Sequence, residues 1–216
     1  MEVEIWSDVI CPWCYIGKRR FESALARFDH AEEVSVRWRS FELAPDAPAH
    51  MEGDQATRIA AKYNVTVEHA KEMERNVTAV AASEGLEYHF DIAQSANSFD
   101  AHRMIHLASE YGLADQMKER LMHAYFSEGL LISDDETLAR LADELGLPAA
   151  ATVAVLSSDR LTDEVRGDEQ TAQRFGLGGV PTFVVDRAIA VTGAQPADTL
   201  LELLEEGWQR STVATS

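Results

Sequence analysis

The stretch S-D-V-I-C-P-W-C-Y-I-G-K-R-R-F, running from Ser7 to Phe21, contains Cys11 and Cys14, the only two cysteines among 216 residues. Such a pair is a structural staple, half of a metal site or a reaction centre, and each answer demands different surroundings. Upstream, Glu2 to Ser7 alternates outward Glu2 and Glu4 with inward Val3 and Ile5, which predicts a strand with a polar start. Downstream, Cys14, Gly17, Phe21, Leu25 and Phe28 recur at helical spacing, while Lys18, Arg19, Arg20, Glu22 and Arg27 fall mostly elsewhere on the wheel. The cysteines therefore sit where a strand turns into a helix. Val34 to Phe41 restores strand alternation, with Val34, Val36 and Trp38 on one face. A right-handed β-α-β crossover makes these two strands parallel.

After a loop with prolines at 45 and 48, the periodicity is helical for more than a hundred residues. It predicts helices over Asp54–Tyr63, Val67–Glu84, Phe99–Tyr111, Ala114–Ser127, Glu136–Leu145 and Ala149–Leu156. Asn97 or Ser98 is a candidate cap for the third of these, and Ser133 or Asp134 for the fifth. Asp163–Phe175 reads as a further helix, V-P-T-F-V-V-D from Val180 as a strand, Ala188–Thr192 as a second strand hairpinned to it near Asp186-Arg187, and Asp198–Trp208 as a last helix. The expected fold is α/β: a small mixed sheet with flanking helices in the thioredoxin arrangement, carrying a large all-helical insertion. The division expected is residues 1–42 with 160–216 as the discontinuous thioredoxin-like domain, and 43–159 as the inserted helical domain.

Composition narrows the function. A formal charge of −18 disfavours nucleic acid, whose phosphates call for clustered Lys and Arg, and disfavours anionic membrane surfaces equally. No basic-then-apolar leader opens the chain and no apolar run is long enough to span a bilayer, so a cytoplasmic location is expected. In a reducing compartment a close cysteine pair points to metal binding or redox chemistry rather than a lasting staple. Tetrahedral zinc needs two further ligands; His102 and His106, four apart on one predicted helix, are the available pair, but no metal site is expected. Redox chemistry needs a stabilised thiolate, and a helix start supplies one. With Cys11 as cap and Pro12 as first helical residue, Cys11 is the expected exposed nucleophile, its sulfur taking the Cys14 N–H as a capping oxygen would. Cys14, on the stripe with Phe21 and Leu25, is the expected sheltered resolving thiol. Lys18, one turn further on, is either a source of positive potential or a solvated lysine.

C-P-W-C after a strand, Y-I-G-K-R-R-F behind it, N-S-F-D-A-H-R at 97–103 and G-G-V-P-T-F-V at 178–184 together resemble the DsbA-like thioredoxin-fold proteins, and within them the FrnE branch of dithiol-disulfide isomerases. The resemblance covers almost the whole chain. It implies thiol-disulfide exchange on protein or small-molecule disulfides, no required cofactor beyond the cysteine pair, glutathione as an admissible co-substrate and a homodimer as an admissible assembly. It also implies a cis Val180-Pro181 bond beside the cysteines, with the Val180 main chain pairing with substrate. Pro12, Trp13, Asn97 and His102 join Val180 and Pro181 as candidate substrate-contacting residues, although the residues themselves favour Asn97 as a helix cap and His102 as a half-buried helical residue. Three departures stand out. Ile5 occupies the position where thioredoxins carry a buried acid, so protons need another route, through water or Asp8; Trp13 replaces the histidine of periplasmic relatives; and the extra C-terminal cysteines of some FrnE-like proteins are absent. The competing reading is a glutathione-dependent isomerase or transferase of the 2-hydroxychromene-2-carboxylate isomerase or kappa type. Those enzymes resemble the same fold but usually place Ser at the position of Cys11 and lack a second thiol. A non-catalytic module with a vestigial motif fits least.

Overall fold

The structure, a computed structural model, describes residues 1–51 and 53–214. It opens with β1 (Glu2–Ser7), α1 (Pro12–Leu25) and β2 (Ser35–Ser40), continues through α2 (Gln55–Tyr63), α3 (Val67–Ser83), α4 (Phe99–Glu110), α5 (Ala114–Phe126), α6 (Asp135–Glu144) and α7 (Ala149–Leu156), and closes with α8 (Thr162–Arg174), β3 (Thr182–Val185), β4 (Ile189–Thr192) and α9 (Ala197–Ala214). The sheet order is β2-β1-β3-β4. β1 runs parallel to β2 with Val3 opposite Val36, and antiparallel to β3 with Ile5 opposite Phe183. This is a thioredoxin fold with a helical insertion. β3 and β4 are joined through Asp186 and Arg187, both at positive φ (46° and 56°), and the Ala188 N–H donates to the Val185 carbonyl. That is the mirror-image two-residue turn whose twist suits a hairpin.

Helices cover both faces of the sheet. Val3, Ile5 and Phe183 face α1 and α9, with Phe21 stacked on Phe183 at 5.5 Å. Trp6 and Val184 face α8, where they pack with Ala172, and the Trp6 indole N–H donates to the Asp168 carbonyl. This second cover corrects the expectation that Glu4 points outward. Glu4 is 1% exposed and accepts hydrogen bonds from the guanidinium groups of Arg39 and Arg187, while Arg39 also binds Asp168 at 2.7 Å. A buried carboxylate is tolerable only when paired in this way.

A single apolar cluster continues from the sheet residues through Cys14 and Tyr15 to Met104, Leu121 and Phe126 of the inserted helices. α4 lies centrally, packed on α5, α7 and α8, which is why apolar or buried residues occur nearly all round it. Asp134 caps α6, its carboxylate accepting the Thr137 N–H at 2.8 Å. α1 stops at Leu25, and Phe28 remains buried in the following turn, edge-on to Trp208. α9 outlasts its expected end at Trp208, because polar rather than apolar contacts extend it: Arg210 pairs with Glu206, and the Ser211 hydroxyl reaches Asp186.

Candidate active site

β1 ends at Ser7 and the chain turns through Asp8, the Cys11 N–H donating to the Asp8 carbonyl at 3.4 Å. Cys11 then takes the cap position of α1 with extended geometry (φ −90°, ψ 114°), and Pro12 occupies the first turn, where its missing N–H costs nothing. The Cys14 N–H donates to the Cys11 carbonyl at 3.0 Å, not to its sulfur, so the expected sulfur cap is not made. The Cys11 thiol instead lies 3.9 Å from the Val180 carbonyl oxygen, next to the cis Val180–Pro181 peptide. α1 comes this close to the loop because residue 17 is glycine: a Cβ there would lie 2.8 Å from Pro181 Cγ.

The two cysteines are free thiols 3.4 Å apart. Cys14 is 1% exposed, as its place on the stripe demands, but Cys11 is only 5% exposed, so its expected openness is corrected. Its neighbours are the Val180 main chain and Tyr88, whose hydroxyl donates to the Pro12 carbonyl at 2.7 Å. The exposed member of the motif is Trp13, at 42%. Burial, reinforced by the Cys11 sulfur, pushes the Cys14 thiol well above its ordinary range.

Beneath the pair lies a set of buried charges. Burial would raise Asp8, but the His102 ring at 3.3 Å, the Leu43 N–H at 2.8 Å and the charge of Lys118 outweigh it and hold Asp8 low. Burial keeps His102 below the usual imidazole range despite that carboxylate. His102 is thus fully buried rather than half-buried and touches Asp8 from 94 positions away. Lys118, on α5, is buried with its ammonium on the Ser7 carbonyl at 3.0 Å; burial pushes it down to about 8 against the pull of Cys14, Asp8 and Cys11. Its position on the apolar stripe with Leu121, Met122 and Tyr125 was the available sign in the sequence.

Other candidates fall elsewhere. Lys18 is neither solvated nor aimed at the cysteines: it is buried among Glu22, Asp115 (3.2 Å) and Glu119 (3.1 Å), which outweigh burial and raise it. Asn97 pins a loop, its amide donating to the Pro45 and Ala47 carbonyls while its oxygen accepts the Phe99 N–H at the start of α4. His106 contacts Ser40 Oγ at 3.0 Å and Asp168 at 3.2 Å, so the two histidines have separate partners. Among the described residues no group of three or more His, Cys, Asp or Glu side chains is arranged to hold a metal.

The family model for DSBA-like thioredoxin domains matches residues 2–205. A crystal structure of a probable DsbA oxidoreductase from Streptomyces coelicolor is 43% identical and superposes with a TM-score of 0.92 over 97% of this chain and 90% of that one. The cytosolic disulfide reductase DsbM from Pseudomonas aeruginosa, solved with GSH, is 20% identical with a TM-score of 0.68 over 97% and 100% of the two chains. A 2-hydroxychromene-2-carboxylate isomerase is 18% identical with a TM-score of 0.70 over the full length of both. At such identities the last two speak for the fold. A match over nearly the whole length, with the cysteine pair at the head of α1, makes this chain a member of the DsbA-like thioredoxin domain family of oxidoreductases.

Proposed function

We propose that the protein is a dithiol-disulfide oxidoreductase or isomerase acting on protein or small-molecule disulfides, with Cys11 as nucleophile and Cys14 as resolving thiol. The Cys11 thiolate attacks one substrate sulfur, forming a mixed disulfide and releasing the first thiolate. Cys14 then attacks the Cys11 sulfur, releasing the second thiolate and leaving a Cys11–Cys14 disulfide; two electrons pass to the substrate. The observation that carries this reading is the inequality of the two thiols. Cys14 is enclosed and held protonated, whereas Cys11 stands at the positive end of a helix dipole worth about 0.3–1 kcal/mol to an anion. The Val180 main chain beside Cys11 is the surface on which an extended substrate would pair. A cavity of about 910 Å³ between the α2–α3 pair and residues 88–95 reaches Tyr88, whose hydroxyl donates to the Pro12 carbonyl. No helix among the described residues is long and apolar enough to cross a membrane. The reading includes a cytoplasmic location and admits glutathione as a co-substrate.

The test is substitution with mass spectrometry of the adduct. Cys14→Ser should accumulate a mixed disulfide on Cys11, and Cys11→Ser should abolish exchange. Equal alkylation of both cysteines in the native protein would sink the assignment. Assaying glutathione-dependent isomerisation on the same sample separates the alternative enzyme class, against which the retained Cys14 argues.

A further inference from the structure

α2 packs chiefly on α3, and the pair carries its own small core, in which Ala56, Ala60 and Ala70 meet Ile59 and Val65. Toward residues 88–95 the pair presents Ala56, Ala79 and Ala82, too short to reach across, and the gap is the cavity of about 910 Å³. That volume is the size of a small-molecule site. Part of its wall is apolar: Tyr88 and Phe90 meet edge to face at 5.6 Å, and Met51 and Ile92 join them. Two acceptor atoms on the wall, Gln55 Oε1 at the start of α2 and Glu74 Oε1 on α3, are buried and have no hydrogen-bond partner among the described residues. Burial and the negative charge of Asp54 raise Glu74 above the ordinary carboxyl range, against the opposing charges of Lys71 and Arg58. The basic side chains on the wall, His50, Lys71 and Arg75, are exposed, and Arg75 faces Glu68 at 3.9 Å.

We propose that this cavity binds a small organic cation, a primary amine on an apolar stem, with its ammonium on Glu74 Oε1 and Gln55 Oε1 and its stem against Phe90 and Tyr88. A buried acceptor without a donor is a standing loss of stability, and a larger one when the acceptor is charged. Two such oxygens in one cavity call for an occupant that brings N–H groups, and the carboxylate calls for a positive one. An ammonium meets both demands, with three donors and no acceptor. A metal ion does not, since among the described residues no three His, Cys, Asp or Glu side chains are arranged to hold one. An anion is opposed by Asp54, Glu74 and Asp91 on the wall and by the charge of −18 on the whole chain, which draws cations toward the mouth. The aromatic rings on the same wall bury a stem and attract an ammonium. Tyr88 joins this site to the cysteine motif through the hydrogen bond of its hydroxyl to the Pro12 carbonyl at 2.7 Å. The site stands independently of the exchange chemistry.

The experiment titrates the full chain calorimetrically, at about pH 7.5 and about 150 mM salt to screen surface attraction. The probes are hexylamine and 4-phenylbutylamine, beside the alcohol and the carboxylate that share each stem. An amine should bind one to one, and its alcohol and carboxylate counterparts at least about tenfold more weakly. Glu74→Gln keeps the size of the side chain and removes its charge, and should weaken the amine by about ten- to a hundredfold. Gln55→Leu should weaken it by about two- to tenfold, the worth of a hydrogen bond to a neutral acceptor. Circular dichroism checks that each variant is folded; should Glu74→Gln not fold, Gln55→Leu carries the test. The proposal is overturned if neither amine binds below about 10 mM, if the carboxylates bind as well as the amines, or if a folded variant leaves amine binding unchanged. The last outcome is attraction to the acidic surface only.

Discussion

Replacing Glu4 by Gln removes one charge from the centre of the sheet at constant volume, and the structure sets the cost. Oε1 of Glu4 accepts from both Arg39 and Arg187, and Oε2 accepts from Arg187 Nε at 2.7 Å. Gln keeps one acceptor oxygen but turns an NH₂ group toward an arginine donor. A hydrogen bond to a charged group contributes about 1.5–3 kcal/mol, and breaking a buried ion pair costs about 3–5 kcal/mol. Arg39 retains Asp168 and Arg187, 53% exposed at its side chain, can turn to water, so the loss belongs at the lower end, about 2–4 kcal/mol. Urea unfolding at pH 7 should show that loss with an unchanged slope against denaturant. The loss should also depend on pH. Burial raises Glu4, but its hydrogen bonds and charge pairing with Arg187 and Arg39 win and hold it below the ordinary range. Its stabilisation is therefore fully present above the unfolded carboxyl value of about 4.3 and disappears as pH falls through the lower folded value. The gap between wild type and Glu4→Gln should thus be widest near neutrality and shrink below about pH 4. A variant within about 0.5 kcal/mol of wild type at pH 7, the range of ordinary surface changes, would refute this account, as would a gap that acid leaves unchanged.

Glu42 should show the opposite pH dependence. Burial, with the charge of nearby Glu169, pushes it up to about 7 against Arg166, and its Oε1 has no hydrogen-bond partner among the described residues. Wild type should lose stability between about pH 4.5 and 7, with a slope approaching ~1.4 kcal/mol per pH unit that is missing from Glu42→Gln; thermal melts across that range check it. Gly207→Ala should destabilise by about 1–3 kcal/mol despite the better helix propensity of alanine. A Cβ at 207 would lie 2.4 Å from Val185 Cγ1, and a melting temperature at or above wild type would contradict that packing.

What the sequence made legible was whatever one element decides by itself. The alternation of β1, the stripe through Cys14 and Phe21, the place of Cys11 and Pro12 at the head of α1 and the turn at Asp186-Arg187 all follow from local periodicity and backbone preference. What it hid were the inward charges. Glu4 reads as the polar face of a strand because nothing near it in sequence announces that α8 brings Asp168, and β2 brings Arg39, over that face. His102 and Lys118 are similar cases: each meets its partner only after the insertion folds back onto the head of α1. Cys11 is a further case: it is 5% exposed and its thiol lies against the Val180 carbonyl, 169 positions away. Tertiary cover, rather than propensity, separated expectation from structure at these positions.

The distances in sequence between the groups around Cys11 carry a consequence for the chain as it is made. Cys11 meets Val180 across 169 positions, Lys118 meets Ser7 across 111 and His102 meets Asp8 across 94. A nascent chain therefore displays its two cysteines long before the residues that distinguish them exist, and until loops of that length close they remain ordinary unfolded thiols. The difference in labelling rate between Cys11 and Cys14 should accordingly be small in fragments that lack these partners and reach its full size only with the completed fold. It gives the molecule an internal gauge of its own maturation.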